Sequence, residues 1–397
     1  MVIAGTGCAL ADFLYNGIDF KSSNFTQYLS SKSGDGGLSP GKLVFTEELE
    51  KYANKSYLEI LNEIANDRLP DAFNVGGPSL VSLIHASQLL NSDDYQVKFY
   101  GIAGTDKIAN KIFKIVNRTP LNIDSYLQID QFATPFTDVF SDPDYNDGQG
   151  ERSFVNNLGA SLAYSPEYLD QQFFNADIVC FGGTALVPQI HDHLTSLLQK
   201  AKSHHCITIV NTVYDFRNEK LHPGQPWPLV NKGCFGLIDV LIMNNEEALK
   251  ISGHESINQA IDFFVKAGAR SFLITNGTSD VIVGSDGWLF KKTNQPIRMP
   301  VSDIVKSELM GIPANLRDTT GCGDNFAGGV AASLAWQLKR GTPGQLDITE
   351  AASWGIVSGG FACSIIGGTW IEKYPREKFQ LITYYYEQYQ KQVKYEK

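Results

Sequence analysis

The sequence has no uninterrupted apolar run approaching the ~18 residues a membrane span requires, so no membrane partner is expected. It has no C-x-x-C pair. Cys8, Cys180, Cys206, Cys234, Cys322 and Cys363 stand singly, which argues against a zinc or thioredoxin-like motif and fits a reducing compartment. It has no surplus of positive charge: 33 Lys and Arg against 43 Asp and Glu leave a net −10. A dedicated nucleic-acid binder carries a basic face, so no nucleic-acid partner is expected. Anionic ligands remain compatible, because clustered backbone amides hold phosphate inside an acidic protein. There is no G-x-x-x-x-G-K-[ST], which removes the P-loop mechanism. The opening Met1-Val2-Ile3-Ala4-Gly5-Thr6-Gly7 has no basic region ahead of its apolar residues, unlike a secretory signal, and a cytoplasmic location is expected.

What is present describes a large α/β protein. Of its 397 residues 43% are hydrophobic and 19% charged, enough to bury a sizeable core with insertions around it. Short apolar runs recur at Val2–Ala4, Val97–Tyr100, Ile178–Phe181, Ile207–Val210, Val240–Met243 and Phe272–Thr275. Several are continuous, as central strands buried on both faces require. Amphipathic stretches such as His191–Lys202 and Asn258–Lys266 lie between them. That alternation predicts a mostly parallel sheet with helices on both sides. Two segments break the rhythm, Leu14–Phe45 and Tyr126–Ala160. The second carries Asn146-Asp147-Gly148 between two extended stretches, a hairpin signal. Both are read as a small β-rich lid on the α/β core, whose strand edges offer a route to a homodimer.

The chemistry concentrates in Asp318-Thr319-Thr320-Gly321-Cys322-Gly323-Asp324, which opens into a helical pattern over Val330–Leu338. Small residues leading into a helix N-terminus present unpaired amides to an anion, and the helix dipole favours the same charge. Side chains at Gly321 and Gly323 would obstruct an approaching phosphate. Asp324 is then paradoxical, since a carboxylate repels phosphate. An ordinary helix cap is the plain reading of a lone Asp; within this string, proton transfer from an attacking hydroxyl explains it better.

The string closely resembles the second signature of the ribokinase, or PfkB, carbohydrate kinase family, D-T-T-G-[AC]-G-D. The resemblance implies a ribokinase-like three-layer sandwich forming one kinase domain over 1–397, with 14–45 and 126–160 as inserted lid segments. It implies ATP-dependent phosphorylation of a sugar or sugar derivative, with a nucleoside of adenosine type as the alternative acceptor. A non-catalytic sugar-binding regulator on the same fold is the reading from another class. By the resemblance Asp324 is the catalytic base, and Gly321, Cys322 and Gly323 form the anion hole, Cys322 being merely its small residue. Asp12, ending Gly5–Asp12, would bind substrate hydroxyls, with Gly76 and Gly77 as the glycine pair that approaches the substrate. Gly101–Asp106 resembles the family's G-x-x-G-x-D stretch. Asn244 and Glu247 match N-x-x-E, which organises Mg²⁺ and phosphates largely through water; Thr275 and Gly277 match the T-x-G step near the nucleotide. Asp318 and Thr320 match positions of a monovalent-cation site, which adds K⁺ to ATP and Mg²⁺.

The departures from the pattern are Val81, where an Asn that often touches the sugar is usual, Ala109 in place of a common glycine, and Asn276 inside T-x-G. Other signals are discounted. Gly5-Thr6-Gly7 has Leu10 where a dinucleotide fingerprint needs its third glycine. His191-Asp192-His193 and His204-His205 read as a solvated helix surface. Tyr384–Tyr386 reads as packing in a C-terminal helix. Arg152 is open between a substrate contact and a lid salt bridge, and Asn156 between a substrate contact and an ordinary β pair.

Overall fold

The computed structural model describes residues 1–32, 34–148, 150–313 and 318–395. In chain order the strands are β1 (Val2–Gly7), β2 (Leu10–Asn16), β3 (Leu43–Phe45), β4 (Ala72–Gly76), β5 (Gln96–Ala103), β6 (Asn122–Gln128) and β7 (Phe136–Asp142). They continue as β8 (Glu151–Asn157), β9 (Ile178–Gly182), β10 (Ile207–Asn211), β11 (Val240–Asn244), β12 (Ser271–Asn276), β13 (Ser279–Ser285) and β14 (Ile297–Met299).

Nine of them form one sheet in the order β14-β13-β12-β11-β10-β9-β1-β5-β6. It is parallel from β12 to β6, and only β13 and β14 run antiparallel. All six apolar runs picked out above lie in these strands. Their alternate residues divide between two cores, as the two-residue period of a strand requires. Ile3, Phe99, Cys180, Ile209 and Ile242 face the helices Pro78–Leu89, Cys322–Arg340 and Ile348–Ala362. Ala4, Tyr100, Phe181, Val210 and Leu241 face Leu194–Ser203, Asn245–Ser252 and Ile257–Ala267. The result is three layers.

A second sheet runs β3-β8-β7-β2-β4. The chain passes into it from the carboxyl ends of β1 and β6, so it joins the main sheet at that edge. β7 and β8 pair antiparallel across the predicted turn. The sheet differs from the expected segments in its membership. β4 lies outside both, β2 starts at Leu10, and Tyr126–Gln128 belongs to β6 of the main sheet. Only β3 and part of β2 come from Leu14–Phe45; its aromatic residues serve instead as a cover. Phe20, Phe25 and Tyr28 join Leu49, Tyr57, Ile60 and Ile64 over Tyr15, Phe140 and Val155 of the sheet. Apolar content without a two-residue alternation marks this packing, which the reading as a β-rich segment missed.

The expected helix His191–Lys202 is broken at His193 into Pro188–Asp192 and Leu194–Ser203. His191 is buried rather than solvated: its Nδ1 lies 2.9 Å from Thr184 Oγ1 and its Nε2 3.4 Å from Asp215 Oδ2. The break turns it inward, while His193 stays exposed and bonds the Gln189 carbonyl at 2.8 Å. The C-terminal helix Glu377–Tyr395 packs as expected, with Tyr386 stacked on Trp354 at 4.3 Å. Among the described residues no helix is long and apolar enough to cross a membrane.

Candidate active site

Chain order reverses at β1. β5 and β6 are added on one side, then β9 to β12 on the other. In open α/β sheets the crevice at such a switch, beyond the carboxyl ends of the strands, is where ligands bind. Gly7, Asn211, Asn244 and Asn276 mark those ends here, and the predicted site residues gather around them.

Gly321 caps the Cys322–Arg340 helix at φ 73°, and a Cβ there would overlap Gly368. Its lack of a side chain therefore serves the turn itself. Gly323 is the glycine that faces open space, with nothing within 4 Å of where a Cβ would stand. The Cys322 amide bonds Thr319 at 3.3 Å and the Asn325 amide bonds Gly321 at 2.8 Å. Helix geometry leaves the amides of Gly323 and Asp324 as first-turn donors without an intrahelical acceptor. Asp324 keeps part of its surface open beside them. Burial pushes its carboxyl up to about 7, with a further contribution from Glu247.

Asp318 begins the turn. It accepts from the Thr320 amide at 2.8 Å and, through its other oxygen, from the Gly367 amide at 2.8 Å. Arg152 of β8 donates to the same carboxylate, to Thr320 Oγ1 at 2.5 Å and to Thr319 Oγ1 at 2.8 Å. Burial opposes ionisation of Asp318, but the Arg152 charge and these amides outweigh it and hold its carboxyl below the usual carboxylate range. Arg152 thus forms a lid salt bridge, and Asn156 makes an ordinary β pair, donating to Thr137 at 2.8 Å.

Asp12 lies on β2, opposite Asn74 of β4. Burial, then the charges of Asp318 and Asp324, push its carboxyl up to about 8. The charges of Asp318 and Asp324 both act on Asp12, which places the three acids in one electrostatic neighbourhood. Gly76 must be glycine because a Cβ there would overlap the Asp12 carboxylate. Gly77 follows as the cap of Pro78–Leu89.

Asn244 and Glu247 form a reciprocal cap at the start of Asn245–Ser252, with bonds of 2.8 and 3.0 Å. Glu247 also accepts from Thr212 Oγ1 at 2.6 Å, and its burial raises its carboxyl above the ordinary value. Thr275, one residue before the end of β12, pairs with Asn244 of this cap, and Gly277 sits in the β12–β13 turn. Asp106 is set apart from this group. It caps Lys107–Val116 and holds Thr134 at 2.7 and 2.8 Å, anchoring the chain where it crosses from β6 towards β7.

Two contributors carried no sequence signal, and a third left only a trace. Thr212 is an isolated threonine after β10. Asn325 donates to the carbonyls of Gly321 and Gly368, both at 2.8 Å. The strap Ile366–Thr369 joins β4 to the turn, since Asn74 bonds Ile366 at 3.0 Å and Thr369 bonds Val75 at 2.7 Å. The Gly367-Gly368 pair in the sequence is the trace that would have found it.

A mostly parallel sheet between helical layers, a second small sheet at its carboxyl edge and a glycine-rich turn opening a helix there make up a ribokinase-like fold. Anopheles gambiae adenosine kinase, solved in complex with P1,P4-di(adenosine-5) tetraphosphate, superposes with a TM-score of 0.65 at 19% identity, covering 91% of this chain and 95% of that one. Thermotoga maritima ribokinase superposes at 0.61 and 16% identity, covering 96% and 99%. A curated adenosine kinase of Schizosaccharomyces pombe is 26% identical over 303 residues, 73% of this chain and 83% of the relative. The model of the pfkB family of carbohydrate kinases matches residues 72–369, well over half of the chain, and the chain belongs to that family. Its members are ATP-dependent phosphotransferases.

Proposed function

We propose that this protein transfers the γ-phosphoryl group of ATP to a hydroxyl of a sugar group, with Asp324 taking the proton of that hydroxyl. The observation that supports this most is the pairing of Asp324, pushed up to about 7, with the open first turn at Gly323. A base whose own pKa lies near the operating pH accepts a proton most effectively. Within the Gly321–Asp324 turn, the free amides of Gly323 and Asp324 meet the charge on the transferring group as it develops. Asp12 accepts from substrate hydroxyls, and Gly76 and Gly77 let the acceptor lie close to the backbone.

Glu247 and Asp324 suit a divalent cation brought in with the nucleotide. Each is raised by burial, and Asp324 further by Glu247, a penalty that positive charge would relieve. Mg²⁺ held through water at Asn244 and Glu247 would neutralise phosphate charge; Thr275 and Gly277 border the nucleotide. K⁺ is not part of this reading. The two residues matched to its site, Asp318 and Thr320, both bond the Arg152 cation. A dimer of lids would use the sheet edges β3 and β4, since one face is covered by the chain itself.

A nucleoside as the carrier of the sugar is favoured by the adenosine kinase relative, and by Val81 in place of a sugar-binding Asn. The deciding experiment is ADP release from Mg·ATP across sugars, sugar phosphates and nucleosides, with Asp324→Asn as control. Turnover with one acceptor, lost in the variant, supports the reading. Silence across the panel with ligand binding intact supports the non-catalytic regulator instead.

A further inference from the structure

We propose that Cys322 and Cys363 are a redox-active thiol pair that closes to a disulfide beside the anion-binding turn and switches phosphoryl transfer off. The two are 41 positions apart, yet their sulfurs lie 2.9 Å from one another. Helix packing imposes the contact. Cys322 is the first residue of Cys322–Arg340, and Cys363 caps the end of Ile348–Ala362. These helices pack closely through glycine: a Cβ on Gly359 would stand 2.9 Å from the Cys322 carbonyl. Access distinguishes this pair from other cysteines. Cys8, Cys180 and Cys206 are buried, whereas Cys322 and Cys363, like the distant Cys234, are partly exposed.

The chemistry needs an oxidant of the small-disulfide class, such as glutathione disulfide. One protein thiolate attacks it, forming a mixed disulfide and expelling one glutathione thiolate. The second cysteine, losing its proton, attacks the protein sulfur of that bond and expels the second glutathione. Two protein thiols become one disulfide, and the two electrons and two protons leave as two glutathione thiols.

An S–S bond is about 2.05 Å long, so closure draws the sulfurs together by about 0.9 Å. Cys322 carries an amide of the turn, and the Cys363 carbonyl accepts from the Asp318 amide at 3.3 Å. Both ends of the bond therefore pull on the turn. A misplacement of about 1 Å at a reacting centre costs about a hundredfold in rate. The loss of activity rests on the kinase reading; the cross-link does not.

The test treats the purified chain with glutathione disulfide, alkylates remaining thiols, and identifies cross-linked peptides by mass spectrometry. ADP release is then measured before and after dithiothreitol. The expected result is a Cys322–Cys363 peptide, at least a tenfold fall in turnover, and recovery on reduction. Cys363→Ser is expected to keep the reduced-state rate and lose the sensitivity, while Cys234→Ser stays sensitive. Full alkylation of both cysteines, under conditions that oxidise a reference dithiol, overturns the pair. A complete cross-link with unchanged turnover overturns the switch. The cross-link is read with no acceptor present, so failure of the kinase reading shows in a different measurement from failure of the thiol pair.

Discussion

Arg152 on the second sheet and Asp318 at the start of the glycine-rich turn form an ion pair across 166 positions of sequence. The same guanidinium reaches Thr319 and Thr320, so one side chain fastens the second sheet to the turn. It also brings a fixed positive charge to the place where the family resemblance puts a monovalent cation.

Arg152→Gln is therefore expected to reduce kcat/KM by about 10–100-fold, the worth of one charge-assisted bond of about 1.5–3 kcal/mol. Wild-type turnover is expected to be equal in K⁺ and in a large organic cation, and the variant to be stimulated by K⁺. Rates in the two salts, for both proteins, decide it. Stimulation of the wild type would show that Arg152 does not replace the ion.

Much of the fold and part of the site were legible in the sequence, for physical reasons. Strands such as Ile178–Gly182, buried on both faces, need continuous apolar runs, and these are visible without neighbours. Asp324 and Gly323 lie within one local turn, so their string carries the signal. The partners of Asp318 could not be read this way. Arg152 and Gly367 arrive from elements remote in sequence, and only the fold brings them together. His191 misled for a related reason. Two histidines two apart were assumed to share one continuous helix, and the break at His193 gave each its own environment.

Asp324→Asn is expected to lower kcat by about 10²–10⁴ while leaving the fold intact. Its effect on stability has the opposite sign. The folded carboxyl is pushed up to about 7 from an ordinary 3.8. Below the ordinary value both states are protonated and the substitution changes little. As pH rises through the folded value, ionising the buried group costs the wild type stability that Asn does not lose. The variant should melt above wild type at pH 8 and with it at pH 3.5. A lower melting temperature at pH 8 would refute this.

The rate should follow the same group. Only ionised Asp324 accepts a proton, so kcat/KM is expected to fall on the acid side with an apparent value near 7. The charge of Asp324 contributes to raising Asp12 to about 8, so the two acids titrate in adjacent ranges. Positive charge arriving with the nucleotide favours ionisation, so the limb in kcat should lie at lower pH than that in kcat/KM. A pH profile at saturating and at limiting nucleotide separates the two. A profile flat from pH 6 to 8 would remove Asp324 from the role of base.

Gly76 and Gly323 separate packing from ligand approach. A Cβ on Gly76 collides with the carboxylate of Asp12, whereas one on Gly323 meets nothing within 4 Å. Gly76→Ala should therefore displace Asp12 and raise the KM of the acceptor, with nucleotide affinity little changed. Gly323→Ala sits in the first turn of a helix, where alanine is favoured over glycine by up to about 1 kcal/mol. Its melting temperature should hold or rise. Its added methyl nevertheless projects into the space where the transferring phosphoryl group is expected, and kcat should fall by at least tenfold. Thermal melts with initial rates over both substrates test the pair of variants together. A Gly323→Ala protein that melts normally and turns over normally would mean that the open space at the first turn does not receive the phosphoryl group.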